Sequence, residues 1–113
     1  VSGAEFQLQV AENGDGSTPA EVTVTGEVDA SNVRAFARSV EELPGARPVI
    51  LQLSNIRYLD SAGFSALDRL LADNAILIVL APNSFMYRVA ELMCMPIHHD
   101  VEAARQVLQD DAS

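Results

Sequence analysis

The sequence predicts an α/β domain: a mostly parallel sheet of four to five strands, with an antiparallel edge from an N-terminal hairpin, packed with four helices. Three observations carry this reading. Two alternating apolar/polar runs open the chain on either side of a turn-rich segment. Short aliphatic runs then alternate with segments of helical spacing, giving the order β-β-α-β-α-β-α-(β)-α, and strand-helix-strand crossovers require parallel neighbours with right-handed connections. At 113 residues and 49% hydrophobic composition, the chain can bury one core without metal or disulfide staples. Residues 1–113 are therefore read as a single domain.

Phe6, Leu8 and Val10 alternate with Glu5, Gln7 and Gln9, the period of a half-buried strand. Asn13 to Pro19 is dense in Gly, Asn, Asp and Pro, which supply turns. Val22-Thr23-Val24-Thr25 and Val28 resume the alternation as the second strand of a hairpin. Asp29 or Ser31 is the expected cap of a helix carrying Val33, Phe36, Ala37 and Val40 on one face, stopped by Pro44-Gly45. Val49 to Leu53 reads as a central strand. After Ser54-Asn55-Ile56-Arg57-Tyr58-Leu59 comes Asp60-Ser61-Ala62-Gly63, followed by Phe64, Leu67 and Leu71 at helical spacing, so Asp60 and Ser61 fall where the chain turns into a helix. Ile76 to Leu80 is another strand. Pro82-Asn83-Ser84 reads as a turn ending in a cap, with Phe85, Val89, Leu92 and Met93 as the apolar face of a third helix. Pro96-Ile97-His98 is at most a short edge strand, and Asp100 precedes a fourth helix over Val101 to Leu108.

The charge balance excludes several function classes. Seven basic residues, all arginine, against 16 acidic ones give a net charge of −9. A single-sign excess of this size repels phosphate backbones and anionic lipid, so neither nucleic acid nor membrane is an expected partner. A protein surface with basic or polar groups is. The lone Cys94 forms no internal disulfide, which points to a reducing, cytoplasmic setting. The longest apolar stretch, Ala75 to Ala81, is far short of the roughly 20 residues that cross a bilayer.

No catalytic constellation emerges. Ser61 lacks the Gly-x-Ser-x-Gly flanks of a nucleophile elbow, and the adjacent His98 and His99 point to opposite faces of a strand. His98-His99-Asp100 has no second cluster to complete a metal site, and Cys94 reads as a buried thiol. The glycines form no phosphate-binding loop. Catalytic residues, metal and cofactor are therefore all expected to be absent. Ser61 remains. On spacing alone, Asp60 or Ser61 is best read as an N-cap. A helix N-terminus also favours an anion, and phosphorylation of Ser61 would add about −1.5 to −2 of charge beside Asp60.

Here the sequence resembles a known family. Val22-Thr23-Val24-Thr25-Gly26-Glu27-Val28-Asp29 looks like the second strand of STAS domains (sulfate transporter and anti-sigma factor antagonist). Leu51-Gln52-Leu53-Ser54 and Ile56 to Phe64, containing Asp60-Ser61-Ala62-Gly63, resemble that family's Asp-Ser signature. The resemblance runs from about Glu5 to Leu108 and implies a STAS-like fold. In the anti-sigma factor antagonists of the family the serine of this pair is phosphorylated. Carried over, Ser61 is the phosphoacceptor, and Asp29, Ser31, Asn32, Asp60, Ser61, Ala62, Gly63 and Phe64 form the partner-binding set. The resemblance further implies an anti-sigma factor that is itself a serine kinase as partner, and a serine phosphatase acting on phospho-Ser61. The unphosphorylated form would bind the anti-sigma factor and free a sigma factor; the phosphorylated form would let go. The alternative within the family is a non-switching regulatory domain of an anion transporter or lipid-transport complex. Three departures stand out: only Asp73-Asn74 and alanines link the second helix to Ile76, so that helix is expected to end early; Cys94 stands near a usual glycine; and Phe64 replaces a usual leucine.

Overall fold

A computed structural model describes residues 3–11 and 19–112. Most of the turn expected over Asn13 to Pro19 lies outside the described residues. The elements are β1 (Phe6–Val10), β2 (Pro19–Val28), α1 (Val33–Glu41), β3 (Ala46–Gln52), β4 (Ile56–Leu59), α2 (Ser61–Ala72), β5 (Ile76–Val79), α3 (Tyr87–Leu92), β6 (Ile97–His98) and α4 (Val101–Ala112). The sheet order is β1-β2-β3-β5-β6, with β4 also paired to β2. Only β1–β2 is antiparallel; every other described pair is parallel.

Among the described residues the sheet has six strands rather than four to five. The additional one is β4, which forms because β2 outruns β3. β2 pairs with β3 over Pro19 to Thr23, and its last residues, Gly26 to Val28, are left for Ile56 to Leu59. At Gly26 the register shifts, and the backbone takes φ of 94°. A Cβ there would lie 2.1 Å from the Glu5 carbonyl oxygen, so only glycine lets β1 and β2 approach this closely.

Alternation along the central strands divides the core in two. Val49 and Leu51, with Ile76 and Ile78, face a large cluster that includes Phe36 and Val40 of α1, Leu67 and Leu70 of α2, and Met86 and Ala90 around α3. Ile50 and Val79 face the other way, onto Ala104 of α4, with Leu77, Val101 and Leu108 around them. Helices α1 to α3 thus share one side, as expected of right-handed crossovers that all step in one direction across the sheet. Helix α4 covers β3 and β5 from the opposite side. Arg105 ties it to β2 with two bonds to the Glu21 carboxylate, at 2.5 and 2.7 Å.

Two expected helix starts move. Neither Asp29 nor Ser31 caps α1; its N-cap is Asn32, without a side-chain cap bond. The chain first makes a tight turn in which the Val33 N–H donates to the Asp29 carbonyl, so the helix opens after that turn. Ser84 likewise closes a turn onto Ala81 and α3 begins at Tyr87, with Met86 as N-cap. That shift turns the third helix over. Met86 and Ala90 are buried, whereas Phe85, Leu92 and Met93 are 74%, 76% and 47% exposed. Helix α2 does not end early: Asn74 adopts φ of 56°, taking the left-handed position where glycine is usual, and its N–H donates to Leu71. Cys94 does the same after α3, with φ of 58°, which leaves its thiol exposed instead of buried. Asp100 caps α4 as expected, accepting from the Ala103 N–H at 2.8 Å.

Candidate functional site

The parallel pairing of β2 with β4 places Val28 opposite Leu59. Both are buried, so the two chains leave the sheet together, as Asp29 from one strand and Asp60 from the other. A bond from the Asp60 N–H to the Val28 carbonyl at 3.3 Å extends the pairing to this exit.

Asp60 is the N-cap of α2, with extended backbone (φ −94°, ψ −172°). Its Oδ1 accepts from the Gly63 N–H at 3.0 Å, satisfying one of the helix's free donors. Its Oδ2 accepts from the Ala30 N–H at 3.3 Å. One carboxylate thus joins the start of α2 to the loop after β2. Sequence spacing left the cap between Asp60 and Ser61; the geometry assigns it to Asp60. Ser61 becomes the first helical residue, exposed, and its hydroxyl has no hydrogen-bond partner among the described residues. The N–H groups of Ser61 and Ala62 are first-turn donors, the kind that favour an anion.

The β2–α1 loop is ordered by its own polar side chains. Asp29 Oδ1 accepts from the Ser31 N–H at 2.8 Å and from the Ser31 hydroxyl at 2.5 Å. These bonds, the hydroxyl's first, hold the Asp29 carboxyl below its ordinary value of 3.8. Asn32 turns inward: its amide donates to the Ala4 and Glu27 carbonyls at 3.0 and 2.9 Å, and its oxygen accepts from the Asp29 N–H at 2.9 Å. It clamps the loop to the strand ends and has little left to offer a partner.

Two members of the sequence-derived set lie below the surface. Phe64 is 3% exposed and packs in the large core cluster. Gly63 is buried against Leu59, whose Cδ2 would be 2.8 Å from an added Cβ. Both seat the helix end on the sheet; neither is available for contact. The exposed or half-exposed set is Asp29, Ser31, Asn32, Asp60, Ser61 and Ala62, with the Asn32 amide already engaged in the loop. Sequence reasoning missed the exposed apolar residues of α3, which follow β5 as α2 follows β4 and so leave the same end of the parallel sheet. Met86 and Ala90, four residues apart, mark the buried side, and a six-residue helix gives that spacing no further turn in which to stand out.

His98 is half-buried in β6, and His99 Nε2 lies 3.2 Å from the Tyr87 hydroxyl. Among the described residues no group of three or more His, Cys, Asp or Glu side chains is arranged to hold a metal ion, and no helix is long and apolar enough to cross a membrane.

Comparison with known proteins agrees with this geometry at the level of the fold. No curated protein sequence matches the chain. An anti-sigma factor antagonist from Mycobacterium paratuberculosis superposes with a TM-score of 0.65 at 18% identity, covering 93% of this chain and 95% of its own. The anti-sigma factor antagonist SpoIIAA in its unphosphorylated form gives 0.56 at 17% identity, covering 93% and 97%. The family model of the STAS domain matches residues 10–89, from the end of β1 into α3 and across the whole site. The chain belongs to the STAS domain family.

Proposed function

We propose that this domain is an anti-sigma factor antagonist, a non-catalytic binding module whose affinity for an anti-sigma factor is switched by phosphorylation of Ser61. The observation that carries the reading is the exposed Ser61 hydroxyl on the first turn of α2, without a hydrogen-bond partner among the described residues and next to a helix cap already supplied by Asp60. A serine needed as a cap would have its oxygen engaged. Here the hydroxyl is spare, and the helix N-terminus tolerates the phosphate it would receive. Both solved neighbours described above are named as anti-sigma factor antagonists, which supports the same reading.

The partner is an anti-sigma factor with serine kinase activity, acting in the cytoplasm, and a serine phosphatase returns the domain to its binding form. The contact surface is centred on Asp29, Ser31, Asp60, Ser61 and Ala62. Phosphorylation acts through position. It brings a dianion into a packed interface already carrying Asp29 and Asp60, where like-charge repulsion and desolvation oppose docking. Incubating the domain with the cognate kinase, ATP and magnesium should incorporate one phosphate, mapped by mass spectrometry to Ser61, and Ser61→Ala should take up none. Undiminished labelling of Ser61→Ala would remove Ser61 from the mechanism.

A further inference from the structure

Asparagine is among the residues best suited to cap a helix, yet Asn32, the N-cap of α1, makes no side-chain cap bond. Only its backbone carbonyl serves the helix, accepting from the Phe36 N–H at 3.0 Å. The side chain is used elsewhere. Nδ2 donates to the Ala4 carbonyl ahead of β1 and to the Glu27 carbonyl at the end of β2, and Oδ1 accepts from the Asp29 N–H. Both donors and one of two oxygen lone pairs are thereby taken. The Ala4 anchor is itself held, because the neighbouring Glu5 carbonyl accepts from the Glu27 N–H at 2.8 Å. One amide therefore fixes the residue that carries the Asp29 carboxylate to the entry of β1 and the exit of β2. From the other side Asp60 holds the Ala30 N–H at 3.3 Å while it caps α2, the helix that Ser61 opens. The loop bearing Asp29 and Ser31 is braced at both ends.

We infer that Asn32 is a positioning residue of the Ser61 surface: without touching the anti-sigma factor, it sets the place of the Asp29 carboxylate and so the affinity of the unphosphorylated domain. This rests on the proposed reading of that surface as the anti-sigma contact. Charge-assisted hydrogen bonds to a basic partner depend on where the carboxylate stands. A carboxylate already ordered in the free domain loses little freedom on docking, whereas one on a loosened loop must be ordered at that moment, which lowers affinity. The Asp29 carboxylate is ordered by Ser31, and the geometry of that turn depends on the Asp29 backbone that Asn32 holds. Asn32 is half-exposed and belongs to neither core cluster, so replacing it leaves the packing of the sheet intact. Its place in the site is thus behind the contact residues, joining them to the start of β1.

The test compares wild type, Asn32→Ala, Asp29→Ala and the double variant by calorimetric titration of the cognate anti-sigma factor, and follows the Asp29 carboxyl of the free domain through an NMR pH titration. Asn32→Ala should weaken binding by about tenfold. Added to Asp29→Ala, it should weaken binding by less than about twofold more, because it acts through the same carboxylate. In the free domain the Asp29 midpoint should move upward as its bonds to Ser31 loosen. Asn32→Ser keeps one hydroxyl donor and should show both effects at smaller size; it replaces the alanine variant if that one does not fold. Unchanged affinity in a folded Asn32 variant overturns the inference, and so do losses that add in the double variant, which would make Asn32 a direct contact. An unmoved Asp29 midpoint overturns it as well, and that readout needs no partner. Wild type that fails to bind the anti-sigma factor would refute the proposed function, while the titration of the free domain would still decide whether Asn32 positions Asp29.

Discussion

Asp60 performs two structural tasks with one carboxylate, and both follow from its place between β4 and α2. Oδ1 caps the Gly63 N–H and Oδ2 holds the Ala30 N–H. Asp60→Ala should therefore cost about 1 kcal/mol for the lost cap, measured by urea unfolding, and should also speed amide exchange at Ala30 in the other loop. Normal exchange at Ala30 would show that the tether is not maintained in solution. Asp29 makes a pH prediction. Its folded carboxyl sits below 3.8, chiefly because the Ser31 hydroxyl bonds to the ionised form. The sign follows: the unfolded carboxyl binds a proton first as pH falls, so the stabilisation is present above 3.8 and is lost as pH drops through the lower folded value. Ser31→Ala should move the Asp29 midpoint upward in an NMR titration; an unmoved midpoint would assign the shift elsewhere. These side-chain bonds were not legible in the sequence, because Asp29, Ser31 and Asn32 are all good capping residues by type. Which of them caps a helix, orders a turn or clamps a strand depends on the exit angle of β2.

Element periodicity was read well where an element is long and buried on one side. In α2, Phe64 and Leu67 of the expected face are buried, each stabilising the helix by roughly 1.5–3 kcal/mol, while Leu71 is half-buried against the same core and Leu70, which the spacing left out, is buried beside it. It failed for α3 because a six-residue helix offers too few turns to fix a phase, and both neighbouring faces are apolar. Met86→Ala should cost about 2–5 kcal/mol, since it empties a buried site, whereas Leu92→Gln and Phe85→Ser should change unfolding midpoints little. The reverse ranking would restore the face expected from sequence. Strand β4 escaped notice for a different reason. Its four residues alternate poorly, with Arg57 and Tyr58 both exposed, and its existence depends on β2 extending beyond β3. No local pattern encodes that overhang. Asn74 and Cys94 show a related limit: asparagine only hints at a left-handed position and cysteine does not by its own type, so neither helix end is marked as glycine would mark it.

Across the whole molecule, the strongly acidic balance takes on meaning through topology. The parallel sheet brings Asp29, Asp60 and Ser61 to one end by pairing β2 with β4, so negative charge already surrounds the hydroxyl proposed to be modified. Phosphate alters the total of −9 only modestly, and its effect comes from concentration at one helix N-terminus. The fold is held by two core clusters on opposite faces of the sheet, whereas the proposed switch rests on surface groups. Ser61→Ala should accordingly leave stability within about 0.5 kcal/mol of wild type by denaturant unfolding. A larger loss would mean that Ser61 is a structural residue and its free hydroxyl misleading. The most direct test of the central claim is calorimetric titration of the cognate anti-sigma factor with the domain, unphosphorylated and then stoichiometrically phosphorylated on Ser61. Affinity for the phosphorylated form should fall by about 10- to 100-fold, the size of a typical coupling between modification and binding. Equal affinity for the two forms would contradict it.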